Sequence, residues 1–288
     1  MPCSSHSSRR SWSRSATRRI GGRVARAWRA ALWFAGAAAA ASTSICAEWE
    51  GYEVLTRETV IERVAQARPG SPVNLYAKNL IGLDLSGVDF RGANLSASVL
   101  NKARLTRAKL DGCNLTVSFM EGADLTGASL RNAVLFSIQL AGGRLNGANL
   151  SGARLIGDLR NADLTNATLT RMNAAADMKN QSMGLMRANL PYAKLVSADL
   201  SHADFSRADF SFADLSRAKL IGTTLYRADF SGARLPGADL TGADLREAQF
   251  IDTDFSGANL TNADLTGATF RGEQGLDEAI KTGTRGLP

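Results

Sequence analysis

Residues 201–220 read SHADFSRADFSFADLSRAKL, which divides into SHADF, SRADF, SFADL and SRAKL. One five-residue phrase is written four times, each ending on a large apolar residue. An α-helix needs apolar positions averaging 3.6 apart and a strand needs them two apart, so a spacing of five fits neither. A fixed period of this kind is the mark of a repeat architecture.

Taking the large apolar residue as the centre, centres fall at every fifth position from Leu80 to Leu155, resume one residue early at Leu159, Leu164 and Leu169, and run again from Leu185 to Phe270. There are 37 of them, all Leu, Phe or Met. The residue two places before the centre is Ala in 25 cases, as at Ala203 and Ala208, and Gly, Ser, Thr or Cys in seven more. Asp or Asn often separates the two, and Ser, Thr or Gly often follows the centre. The rule is A-(D/N)-L-(S/T/x)-(G/x).

Written as ADFSR, ADLTG, ANLSG and ANLTN, these phrases resemble the pentapeptide-repeat family over residues 78–272. The resemblance implies an all-β solenoid, a right-handed quadrilateral parallel β-helix in which four phrases make one square coil. No single coil encloses a core, but stacked coils bury continuous columns of side chains. Centres are expected to point inward, with the small residue letting the wall turn close to the axis.

If a coil has twenty residues, residues twenty apart stack about 4.8 Å from one another. The charges agree with this. Asp84, Arg104, Asp124, Arg144 and Asp163 alternate in sign on one side; Lys194, Asp214, Arg234 and Asp254 are read as a second side, and Asp199, Lys219 and Asp239 as a third. Asp209 and Asp229 break the pattern. Opposite charges at ladder spacing attract. Phe210, Phe230, Phe250 and Phe270 are expected to form one inward aromatic column. The stretch TRMNAAADMKNQSMG, irregular over 170–184, is read as a bulge or small loop that restores the coil phase and keeps Phe90 on that column. The repeats then make about nine and a half coils and a rod of roughly 45 Å.

Short helical caps are expected at both ends, within residues 48–77 and 273–288. LTRETVIERVAQARPGSP places an N-cap at Thr56, an acid in the first turn at Glu58, and an apolar face of Val60, Ile61, Val64 and Ala67, stopped by Pro69 and Gly70. GLDEAIKTG is expected to lay one or two helical turns over the last coil. Partner binding or dimerisation through a cap is the alternative role for these ends.

Residues 1–47 hold eight Arg and no acid, then AALWFAGAAAAASTSICA before EWEG. A basic region, an apolar stretch and a small residue at the cut are the anatomy of an export signal removed near Ala47, which directs the chain to the periplasm. SRRSWSR loosely resembles a twin-arginine motif. Cys46 invites a lipoprotein reading, against which TSIC lacks a small residue before the Cys. An organelle transit peptide and an uncleaved membrane anchor are the alternatives; the apolar stretch is short for a span of about 20 residues, so no stable span is expected once the leader is cut.

The whole chain carries +7, but removing the leader's eight Arg leaves 26 basic residues against 27 acidic. The high pI therefore belongs to the leader, and no nucleic-acid binding is expected of the body. The body keeps one cysteine, Cys113, at a small-residue wall position, and one histidine, His202, at a corner. These form neither a catalytic triad nor a metal-ligand cluster, and the glycines follow the corners instead of a phosphate loop. The expectation is a non-enzyme with no cofactor or metal.

The surface offers one candidate contact strip: Arg187, Arg207 and Arg227 stacked on one corner, with Tyr192, Phe212 and Tyr226 exposed nearby. Asp204, Asp209 and Asp229 are the acids expected to neutralise it. Two functions are open. One is an exported structural or interaction module presenting flat faces to an unidentified protein partner in the periplasm or envelope. The other comes from the family resemblance, some members of which mimic B-form DNA, bind DNA gyrase and protect it from quinolones in the cytoplasm. Those members are acidic and often dimerise through a C-terminal helix; this chain departs in its leader, its near-neutral body and its short C-terminal segment.

Overall fold

Each five-residue phrase folds into one side of a square coil, and each residue type in it has a separate physical task. In Asp84-Leu85-Ser86-Gly87-Val88, the N–H of Val88 donates to the Leu85 carbonyl at 3.2 Å, closing a β-turn. The third turn position, Gly87, has φ 70°, the left-handed value of a type II turn. Asp84 Oδ1 accepts from the Ser86 N–H at 3.1 Å and the Ser86 hydroxyl at 2.6 Å, tying the corner down. Leu85 points inward and is fully buried.

The computed structural model describes residues 49–68, 70–177 and 186–288, all within one unit, Trp49–Pro288. Coils join through parallel bridges at the residue before each centre, such as Asp84 with Arg104 and Asp89 with Lys109. Leu85 N–H donates to the Arg104 carbonyl at 2.7 Å, and Arg104 N–H donates to the Leu83 carbonyl at 2.9 Å, so each side is hydrogen-bonded both up and down the stack. The sides are numbered here from the centres Leu80 (first), Leu85 (second), Phe90 (third) and Leu95 (fourth). Polar residues at small wall positions are satisfied: the Ser98, Ser118 and Thr223 hydroxyls donate to buried main-chain carbonyls.

The missing residue near 156 falls at a corner. Strand β3, Val134–Gln139, pairs with β4, Arg154–Asp158, and the register shifts between Phe136 and Ile138. Gly157 absorbs the shift at φ 150°, where an added Cβ would stand 2.2 Å from the Ile138 carbonyl oxygen. No residue with a side chain fits there without moving backbone.

The next coil corrects the expected phase. Asp158 pairs with Asn189, Asp163 with Lys194 and Thr168 with Asp199, each 31 residues on. Ala174, fully buried, serves as the fourth-side centre, and an antiparallel bridge joins Asp177 to Met186. The chain thus steps from Ala174 to Leu190 as one side. Counted from the sequence, 169 to 185 is three sides plus one residue; the ladders instead place Leu169, Ala174 and Leu190 on three successive sides. Phe90 therefore lies on the third side, opposite the first-side column of Phe210, Phe230, Phe250 and Phe270. Those rings stack at centroid separations of 5.2, 5.4 and 5.3 Å. Leu80 and Phe270, both first-side centres, are nine coils apart, about 43 Å at the ladder spacing.

The same correction unites two charge patterns. Asp84, Arg104, Asp124, Arg144, Asp163, Lys194, Asp214, Arg234 and Asp254 are successive rungs of one ladder on the second side. The signs alternate without a break across the 31-residue coil. Within the ladder, Arg104 reaches Asp84 at 3.5 Å, Arg144 reaches Asp124 at 4.0 Å and Arg234 reaches Asp214 at 3.5 Å. Such exposed pairs contribute little energy each, so their role is to specify register.

The amino-terminal end is capped as the sequence implies. Strand β1, Glu53–Val54, pairs with β2, Lys78–Asn79, and helix α1 covers the first coil over Arg57–Ala65. Thr56 Oγ1 accepts from Thr59 N–H, and Val60 is fully buried. Ala67 lies past the helix end and is exposed, so it does not join the apolar face. Trp49 packs on Phe119 at 4.6 Å. Val99 and Phe119, apolar on a side whose other rungs are polar, are both buried. At the other end, residues 275–279 form turns with bonds from Glu278 N–H to Gly275 O and from Ala279 N–H to Leu276 O, where helical turns were expected. Gln274, Ile280 and Arg285 keep pairing with the coil below, and that ladder holds the segment extended. The leader reading concerns residues outside those described.

Candidate functional site

At most corners the residue two places after a centre has φ positive and points outward. Tyr192 and Phe212 occupy this position at 58° and 57°, one coil apart, on the corner between the first and second sides. Their rings stack at 5.0 Å with 7° between planes, and the residues are 57 % and 55 % exposed. Gly232 follows in the same column, and the Phe212 ring lies over it. Two aromatic side chains thus sit in a backbone conformation that disfavours them, with over half their surface in water. Nothing in the coil needs them there.

The neighbouring corner, between the fourth and first sides, holds Arg207 and Arg227. They sit 5.9 and 5.1 Å from the ring centre of Tyr226, and Arg246 adds a third guanidinium at 5.9 Å. Contacts of this kind are worth about 0.5–1 kcal/mol at exposed sites. Glu247 accepts from Arg227 and, at 3.0 Å, from the Tyr226 hydroxyl. These donors, Arg227 first, hold the Glu247 carboxyl below its usual range. Asp244 pairs with Arg246 at 2.7 Å.

Arg187 is not part of this corner stack. Ala176 takes that level, its N–H bonded to the Ser206 carbonyl, and Arg187 falls instead on the first-side wall, next to Ala188, which pairs with Gly157. There Arg187 pairs with Asp209 at 2.7 Å. Asp204 and Asp229 do not neutralise the arginines either: each accepts from the hydroxyl two residues on, Ser206 and Ser231. Of the three expected acids only Asp209 pairs with an arginine; Glu247 and Asp244 do the rest. The twenty-residue period could have found them, since Arg246 and Glu247 stand twenty after Tyr226 and Arg227. The two groups border the first side, whose wall carries Asn189, Asp209, Asp229 and Gln249.

Chemistry elsewhere is sparse. Cys113 is fully buried and its thiol donates to the Phe90 carbonyl at 2.9 Å. Burial pushes the thiol up to about 12, far from the range of a nucleophilic cysteine. His202 projects from a corner over Gly222. Among the described residues no group of His, Cys, Asp or Glu is placed to hold a metal ion, and no helix is long and apolar enough to cross a membrane.

These features define a class: a four-sided repeat solenoid whose distinctive groups lie on its outer corners. The model of the pentapeptide-repeat family matches in eight copies, within residues 79–116, 120–157, 135–174, 185–222, 208–247 and 233–272. The chain belongs to the pentapeptide-repeat family, and its fold is the right-handed quadrilateral β-helix. No enzyme family is indicated. Comparison with curated proteins gives no match. Among solved structures the chain is similar to HetL, a pentapeptide repeat protein involved in heterocyst differentiation regulation from the cyanobacterium Nostoc. That likeness has 28 % identity over 80 % of this chain and 96 % of HetL, with TM-score 0.41. It is also similar to QnrB1, a plasmid-mediated fluoroquinolone resistance protein, at 18 % identity over 72 % of this chain and 87 % of that one, TM-score 0.35. A pentapeptide repeat protein of the Arabidopsis thaliana thylakoid lumen is 26 % identical over 58 % of this chain and 72 % of its own, TM-score 0.19.

Proposed function

We propose that this chain is an exported, non-catalytic interaction module, acting in the periplasm or envelope, that meets a protein partner along the first side and its two corners. The observation that carries the reading is the exposed Tyr192–Phe212 stack. Large exposed aromatics in left-handed backbone cost stability, and glycine, used one coil on at Gly232, would remove that cost. Aromatic and Arg side chains are the groups most enriched where protein interfaces draw their energy. The Arg207–Tyr226–Arg227 corner supplies both kinds beside the stack. The basic, acid-free leader supports the export reading.

The test places a photo-crosslinking amino acid at Phe212, with Asn262 on the far corner as control, and expresses the chain in fractionated native cells. Mass spectrometry reads both the adducts and the mature amino terminus. The expected result is a periplasmic chain beginning at Glu48 with adducts at position 212 alone. Equal crosslinking at both positions would overturn the surface, and a cytoplasmic chain starting at Met1 would overturn export.

A further inference from the structure

The second side carries nine rungs of alternating charge, and its corner with the first side carries Tyr192 and Phe212 on two adjacent rungs, next to Lys194 and Asp214. That coincidence selects an occupant. We propose that the second side is an interface with a second copy of this chain, related by a twofold axis that crosses the ladder between the Lys194 and Asp214 rungs. The proposal rests on the reading of Tyr192 and Phe212 as contact residues and assigns that corner, with the second side, to a second copy, leaving the first side and its Arg207–Tyr226–Arg227 corner to the protein partner.

Symmetry decides the geometry. A twofold axis running along the ladder would set each rung against itself, Asp on Asp and Arg on Arg. An axis crossing the ladder turns the partner end for end. If it passed through a rung it would again oppose like charges, because the alternating series reads the same in both directions. Passed between two rungs, it opposes unlike charges everywhere. Placed between Lys194 and Asp214, it sets Lys194 against the partner's Asp214, Asp163 against the partner's Arg234 and Arg144 against the partner's Asp254. The same operation keeps the aromatic corner on the same edge, so Tyr192 meets the partner's Phe212 and four rings gather at the axis. An isologous contact of this kind closes as a dimer and does not propagate.

The cations are available for such pairing. Arg144 and Arg234 are 65 % and 61 % exposed, and their closest approaches to Asp124 and Asp214 are 4.0 and 3.5 Å, long for charge-assisted bonds. The contact spans six rungs, about 30 Å, by roughly 10 Å of side. That is below the ~800 Å² per partner of a standard interface, so the dimer is weak, with the rings as its apolar centre and the charges as its register. Exposed charge pairs are screened by salt, so association must fall steeply with ionic strength.

The experiment is sedimentation equilibrium of the purified protein at low and high salt, followed by zero-length carbodiimide crosslinking of a mixture of unlabelled and nitrogen-15-labelled protein. The expected result is a dimer whose dissociation constant rises about tenfold or more from 50 to 500 mM salt. Lys194–Asp214 crosslinks should then join the two isotopes. The variant Tyr192→Asn/Phe212→Asn keeps residues suited to the corner backbone and should be monomeric and as stable as the parent. A monomer at 50 mM salt, or crosslinks confined to one isotope, overturns the proposal. If such a monomer still gives foreign-protein adducts at position 212 in cells, the contact surface stands and only the second copy is excluded. A dimer untouched by the double variant overturns it equally.

Discussion

Replacing Gly157 with Ala should be far more damaging than replacing a glycine at a regular corner. At Gly242, where an added Cβ meets nothing within 4 Å, the cost is the left-handed backbone alone, about 1 kcal/mol. At Gly157 the new Cβ would lie 2.2 Å from the Ile138 carbonyl oxygen and 2.7 Å from its nitrogen. Both atoms are backbone of the paired strand β3, so the clash cannot be relieved by a rotamer change. Forcing the strands apart adds an overpacking cost of roughly 2–3 kcal/mol, and disturbing one ladder hydrogen bond adds about 1. The difference between the two variants is therefore about 3 kcal/mol, or about 1 M in the urea midpoint for a slope near 3 kcal/mol/M. The assay is equilibrium urea unfolding followed by far-ultraviolet circular dichroism, with hydrogen exchange reporting on residues 134–158. Equal midpoints for Gly157→Ala and Gly242→Ala would refute the account of the one-residue deletion.

Two further outcomes follow from the core and the corners. Phe230 stacks between Phe210 and Phe250, so Phe230→Ala should cost about 3–5 kcal/mol, whereas Phe230→Leu should cost under about 1.5 because Leu fills the same column at Leu190; calorimetric midpoints separate the two. Asp84 and Asp264 are held below the ordinary carboxylate range chiefly by the Ser86 and Thr266 hydroxyls, and Asp89 by Arg91. Their folded pKa values lie below the unfolded value of about 4, so their contribution is present above that pH and lost as pH falls through the folded values. Thermal midpoints should be flat from pH 5 to 8 and drop below about 4; a decline beginning near pH 6 would contradict this.

The repeat, its twenty-residue coil and the inward column of phenylalanines were legible because five-residue periodicity is a local property. Each phrase carries its own turn and its own buried centre, many add an Asp-to-hydroxyl tie, and the next repeats it. The candidate strip was legible only in part. Tyr192, Phe212, Arg207, Tyr226 and Arg227 sit where counting places them, but Arg187 does not, because it falls within the single side that runs from Ala174 to Leu190. Arg246 and Glu247 carried the signal of the period, twenty residues after Tyr226 and Arg227, but not that of the phrase, whose acids are the aspartates before the centres. Trp49 had a fainter signal, the apolar Val99 and Phe119 on a side whose other rungs are polar.

Amino-acid order alone thus determined the kind of coil, since every residue of the phrase acts within its own turn. It could not determine how the coils continue past residue 174. Leu190 stands sixteen positions after Ala174, a step that reads equally well as three sides plus one residue or as one side with added residues. The choice is made by pairing between Asp177 and Met186 and by ladders joining residues 31 apart. Those bonds act across space, and they decide which charges stack, which face Phe90 occupies and which corner carries the aromatic pair.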